Sequence, residues 1–137
     1  MTSIGLSTAA APSVSALWAG RVLSALAAAF LTFDSVIKLL LLQPVVQSFT
    51  ELGVPVHLAR GIGALELACL ALYLIPRTSV VGAVLLTGYL GGAIAMHVRL
   101  ENPLFSHVLF PTYVAAMVWG GLYLRDRRVS ALFAPRT

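Results

Sequence analysis

An all-α bundle of four membrane-crossing helices is the fold this sequence predicts, and three observations predict it. Hydrophobic residues make up 59% of the 137 and charged ones only 10%, with a mean hydropathy of +0.93, so no water-facing shell can be assembled from them. The apolar residues fall into four runs near the ~20 residues that cross hydrocarbon, at about 16–42, 57–75, 79–98 and 104–124. Those runs are continuously apolar rather than alternating, which argues against a barrel and leaves helices as the spanning structure. Residues 16–128 are therefore expected to form one transmembrane domain, between a disordered tail at 1–15 and a cytoplasmic tail at 129–137.

The punctuation agrees with that division. "MTSIGLSTAAAPS" lacks the basic start of a signal peptide and precedes an apolar run too long for one, so helix one is expected to be retained. Gln43-Pro44 ends it, since proline has no amide hydrogen and disfavours helix in the residue before it. In the connection that follows, Val45, Val46, Phe49 and Leu52 share one face at helical spacing, the pattern of a short amphipathic helix lying at the interface. "YLIPRTS" is a tight turn. In "ENPLF", Asn102 is expected as N-cap and Pro103 at the first helical position, with a kink at Pro111 that frees the His107 carbonyl.

Arginine counts orient the bundle. With four spans, one side collects Arg21, Arg77, Arg125, Arg127, Arg128 and Arg136, and the other Arg60, Arg99 and Lys38, so both termini are expected to be cytoplasmic. Trp18, Tyr73, Trp119 and Tyr123 fall near that inner boundary, as an aromatic belt would. The net charge of +4 and the pI of about 9.8 then need no nucleic acid, because topology and anionic lipid account for the basic residues.

Depth is where function begins. Counting ~1.5 Å per residue from the inner arginines, Glu66 lies roughly 16 Å in, Asp34 roughly 20, Lys38 roughly 25, His107 roughly 27 and His97 roughly 30. Each charge so placed costs at least ~2.5 kcal/mol, so it is expected to face the bundle interior, a partner or water. Asp34 and Lys38, at i and i+4, are able to neutralise one another on one helix. Glu66 has no local partner. Small neighbours at Ala59, Gly63 and Cys69, with Tyr73, put it on a tightly packed face, where it either stays protonated or pairs across to Lys38 or a histidine. Glu66, Asp34 and Lys38 are thus the candidates for proton chemistry.

His97 and His107 fall at one level on adjacent helices, either as interfacial histidines touching water or as holders of a polar head group. Paired haem ligation is geometrically conceivable but has no other support in the sequence, so haem is disfavoured. Arg99 is a rim residue or an anchor for an anionic or carbonyl group. Gly88 and Gly92 form a small-xxx-small pair nearly opposite His97, for packing within the chain or for a homo-oligomer. Cys69 is the only cysteine, so neither a dithiol nor a zinc set is expected, and no metal site.

The stretches "LWAGRVLSAL", "FDSVIKLL", "GIGALELACLALYLIPRTSVVGAVLLTGYLGGAIAMHVR" and "PLFSHVLFPTYVAAMVWGGLYLRD" together resemble the DoxX-like family of small four-helix membrane proteins. The resemblance implies a multi-pass protein of a bacterial-type inner membrane. Namesake members are linked to thiosulfate:quinone oxidoreductase and to membrane oxidoreductase complexes, and distant eukaryotic ones to receptor assembly. It brings no catalytic set, so whether the chain is an enzyme stays open.

Three functions fit these residues. The first is a binding protein for a lipophilic ligand, quinone being the leading candidate cofactor, acting as an accessory subunit of a membrane oxidoreductase. In it Glu66, Asp34 and Lys38 handle protons while His97, His107, Arg99 and Glu66 hold the head in an outward-opening pocket. The second is a structural or assembly factor for a membrane complex. The third is an acid-base enzyme acting on a membrane-dissolved substrate.

Overall fold

A computed structural model describes residues 10–135. Residues 1–9 of the expected N-terminal tail, and Arg136 and Thr137, lie outside the described residues. The architecture is all-helical: α1 (Val14–Leu39), α2 (Gln43–Leu52), a 3₁₀ turn (Val56–Leu58) leading into α3 (Ala59–Leu74), α4 (Ser79–Arg99), a wide turn (Leu104–Val108), α5 (Phe110–Arg125) and α6 (Arg127–Leu132). Four segments, Val14–Leu39, Val56–Leu74, Ser79–Arg99 and Leu104–Arg125, are long and apolar enough to cross a membrane. Within each only 28–33% of the most apolar window is buried, so most of that surface meets lipid.

The spans pack in the cyclic order α1, α3, α4, α5, with a shared core that includes Leu31, Leu70, Tyr73, Leu86, Val118 and Leu122. One end carries both termini and the α3–α4 turn; the far end carries α2 and the α4–α5 connection. Four places differ from expectation. Helix α1 already begins at Val14, because the Ser13 hydroxyl accepts from the Ala16 N–H (3.2 Å) and caps it. It stops at Leu39 rather than Leu42. Leu41 adopts a left-handed φ of 51°, and Pro44 serves in the first turn of α2, where its missing donor costs nothing. Asn102 does not cap the last span; its amide turns to His97 instead. The chain bends before Pro111, in a turn widened by bonds from the Val108 N–H to Pro103 O (3.2 Å) and from the Leu109 N–H to Leu104 O (2.8 Å).

The C-terminal tail also starts as structure. Asp126 caps α6, Val129 is buried in the core, and the Arg128 guanidinium donates to Pro76 O (2.6 Å). Tyr73, expected in an interfacial belt, is wholly buried. Its hydroxyl donates to Val118 O (2.8 Å), lies 2.9 Å from Ser24 Oγ, and its ring sits beneath Arg125 at 5.1 Å. Trp18 and Tyr123 do remain at the surface.

The helix α2 exists, and its Val45 and Phe49 pack inward on Ala59 and Ile62. It ends at Gly53, whose φ of 67° is the left-handed value glycine tolerates best. From there Arg99 reaches back, its guanidinium donating to Leu52 O, so α2 is tied over the far end of the bundle.

Candidate functional site

Glycine sets the site's frame. A Cβ at Gly63 would lie 2.9 Å from both Lys38 Cβ and Ser35 O, so α1 and α3 touch there, which brings Lys38 onto α3. Helical side chains lean toward the N-terminus, so the Lys38 amine hangs from near the far end of α1 into the middle of the bundle. All three of its donors are used: on Asp34 Oδ2, on Glu66 Oε2 (2.9 Å) and on Tyr89 Oη (2.6 Å). The Tyr89 hydroxyl in turn donates to Glu66 Oε2 (3.0 Å).

Asp34, Lys38 and Glu66 are therefore brought together as expected, and the partner of Glu66 is the lysine rather than a histidine. Tyr89 completes the cluster and was not anticipated. The signal was present: it is a tyrosine in the middle of a span, where a hydroxyl needs a partner. With both carboxylates ionised the cluster carries one negative charge more than positive. Glu66 is wholly buried, and among the described residues its Oε1 has no hydrogen-bond partner. A proton, or a donor on a bound molecule, is what that oxygen lacks.

The cluster borders a cavity of about 640 Å³ inside the far half of the bundle. Asp34 and Lys38 of α1 and Tyr89 of α4 line it, among apolar walls from Phe30, Phe49, Met96 and Phe110. Such volume and mixture are those of small-molecule sites.

Toward the far end lies a second, polar hollow of about 300 Å³, lined by Glu51, Asn102, His97 and His107 among others. Ser48, Leu52 and His97 belong to both. In place of one chamber there are thus two, with the half-buried His97 ring in the partition. Its ring packs edge-on against that of His107, centroids 5.7 Å apart. Asn102 Nδ2 lies 2.8 Å from His97 Nδ1; an amide nitrogen only donates, so a neutral ring keeps its proton on Nε2. His107 is exposed and bonded through Nδ1 to Ser106 Oγ (2.8 Å). Arg99 lines neither hollow and is engaged with Leu52. Among the described residues no group of three or more His, Cys, Asp and Glu is placed to hold a metal ion.

Gly88 and Gly92 do not pack within the chain: a Cβ on either would meet nothing within 4 Å, and both line the large cavity.

Fold and site together define a multi-pass helical membrane protein with a buried ion cluster beside an internal cavity. The sequence model of the DoxX-like family matches residues 22–121, and the chain belongs to that family. No curated protein and no solved structure matches it.

Proposed function

We propose that this DoxX-like protein binds a lipophilic molecule with a polar, proton-exchanging head, a quinone being the best chemical fit, as an accessory to a membrane oxidoreductase system. The observation that carries the reading is the cavity of about 640 Å³ with Lys38, Asp34 and Tyr89 on an otherwise apolar wall. A quinone carbonyl accepts from Tyr89 when that hydroxyl turns from Glu66 Oε2 into the cavity, a quinol hydroxyl donates to Asp34, and the ring and tail take the apolar walls. The Asp34–Glu66 pair, one charge in excess of Lys38, is suited to take up a proton released there. Electrons have no redox group among these side chains, so they belong to a partner.

The same reading places the far end outward and the termini in the cytoplasm of a bacterial-type inner membrane. It is supported by Arg21, Arg77, Arg125, Arg127 and Arg128 near the termini end, against Arg60 and Arg99 near the far end.

Gentle extraction followed by mass spectrometry and an absorbance spectrum of the purified protein tests the proposal. A lipophile with an exchangeable head group is expected at near-stoichiometric occupancy, lowered at least fivefold in Glu66→Gln while the helical fold is retained. A lipid profile identical to that of the surrounding membrane, in wild type and variant alike, overturns it. An assembly role is the second reading. One observation favours it: Lys38 links α1, α3 and α4, as a purely structural staple would. A stoichiometric protein client, lost with Glu66→Gln and without any bound lipophile, would select it.

A further inference from the structure

The cavity has to be filled from somewhere, and its walls are unequal. Near the termini, α3 and α4 are in backbone contact: a Cβ at Gly82 would lie 2.2 Å from Tyr73 N and 2.5 Å from Tyr73 Cα. Six and ten residues further along α4, or about 9 and 15 Å, Gly88 and Gly92 meet nothing within 4 Å. Gly88 and Gly92 stand about 120° and about 80° around α4 from Gly82, so the face they share flanks the α3–α4 contact and is left uncovered by the described residues.

The other sides are bridged, although Phe110 (41% exposed) and Ser48 on them also reach the surface. Between α1 and α5, the rings of Phe30 and Phe110 stack edge-on at 5.1 Å across the cavity wall. At the far end, α2 lies over the cavity with Phe49 buried, strapped down by the Arg99 bond to Leu52 O. On the α3–α4 side Gly88, Gly92 and Leu65 line the cavity and are exposed on the outer surface, Leu65 to 58%. Where the exposed wall is glycine, no side chain fills the gap. At mid-span that surface is hydrocarbon, not water.

We propose that the cavity is loaded sideways from the bilayer through the gap between α3 and α4, and that the prenyl or acyl tail of its occupant lies across Gly88 and Gly92, opposite Leu65. This rests on the ligand-binding reading above and adds the route and the feature recognised, an apolar chain behind a polar head. The glycines supply the width. Glycine is a weak helix former, and here no close helix contact accounts for it; any side chain at either position would project into the opening. Beside the cavity, though not lining it, Glu66 has Oε1 buried without a partner among the described residues, and its other oxygen is bound by the cavity-lining Lys38 and Tyr89. A head group that travels inward through the gap arrives beside that cluster.

The test compares two variants of the full chain, loaded with decylubiquinone in dodecylmaltoside micelles and followed by native mass spectrometry. Gly88→Leu with Gly92→Leu narrows the gap. Gly91→Leu adds the same bulk on the same helix at a position that also meets nothing within 4 Å but does not line the cavity. Since all three glycines have open space, both variants are expected to keep the wild-type melting temperature within a few degrees. Wild type and Gly91→Leu should take up one quinone at equal rates, and the double variant at least tenfold more slowly or not at all. Equal loading of the double variant, with wild type still binding, overturns the lateral route and leaves the ligand reading standing. No quinone and no co-extracted lipophile in the wild type overturns the ligand reading itself, and the route with it. If a second copy of the chain occupies the gap instead, the same spectra show a dimer that the double substitution dissociates with quinone loading unchanged, which also overturns the proposal.

Discussion

Gly20, Gly82 and Gly121 at the termini end and Gly88 and Gly92 toward the far end are the same residue put to opposite uses. A Cβ at Gly20 would lie 2.9 Å from Gly121 O, one at Gly121 2.4 Å from Ser24 Oγ, and one at Gly82 2.2 Å from Tyr73 N. There glycine lets backbones touch. Polar groups at that end are matched as well: the Tyr73 hydroxyl, Ser24 and Arg125 satisfy one another. Toward the far end Gly88 and Gly92 border empty space, a lysine faces two acids, and among the described residues one carboxylate oxygen is left without a partner. One half of the bundle is thus packed for stability, while the other gives up packing to hold a cavity beside charge. The contrast teaches that small-residue motifs in membrane helices mark space, which a neighbouring helix or a ligand then takes.

The contrast breaks most sharply at Gly82. Gly82→Leu forces a side chain into the Tyr73 backbone and is expected to cost about 3 kcal/mol or more, seen as loss of monodisperse protein on size exclusion; a stable, monodisperse variant would show that the termini end is not the rigid one. Gly88→Leu, by the argument above, leaves the fold in place. Next in size is Lys38→Met, which leaves Asp34 and Glu66 facing each other without a cation. A loss of about 3–5 kcal/mol is expected, partly restored by adding Glu66→Gln, and checked by thermal unfolding in detergent. If the double variant is no better than Lys38→Met, the ion cluster is not a coupled unit.

The smallest effect lies outside the spans. The Arg128 guanidinium bonded to Asp126 holds that carboxyl below its usual range. A depressed folded pKa means that the stabilisation is present above the unfolded value of about 3.9 and disappears as pH falls through the lower, folded value. Asp126→Asn still caps α6, so it should cost under about 1 kcal/mol at pH 7, with the difference from wild type shrinking toward pH 3 in parallel melts. A difference that is the same at every pH would assign the effect to capping alone.

Much of this was legible beforehand, for local reasons. The spans follow from run length, the Asp34–Lys38 pair from its i, i+4 spacing, and the isolation of Glu66 from the lack of an ionisable residue on its own face. Other features were read wrongly or not at all. Tyr73 and Tyr89 sit in similar apolar contexts, yet one locks the packed end and the other completes the cluster; hydropathy does not distinguish them. His97 and His107 were read into the same pocket as the carboxylates; both line a neighbouring hollow, which shares His97, Ser48 and Leu52 with the cavity. Arg99, read as a rim residue or as an anchor for a head group, donates to Leu52 O.

The sequence by itself determined that this chain crosses a membrane four times and that ionisable groups lie deep inside it, because solvation free energy and helical periodicity act residue by residue along the chain. Only the tertiary structure decided which acid meets Lys38, which glycines are filled by a neighbour, and where the cavity opens. Those depend on how the helices are rotated and packed against one another, at Gly82 and Tyr73 among other places, which no single helix encodes.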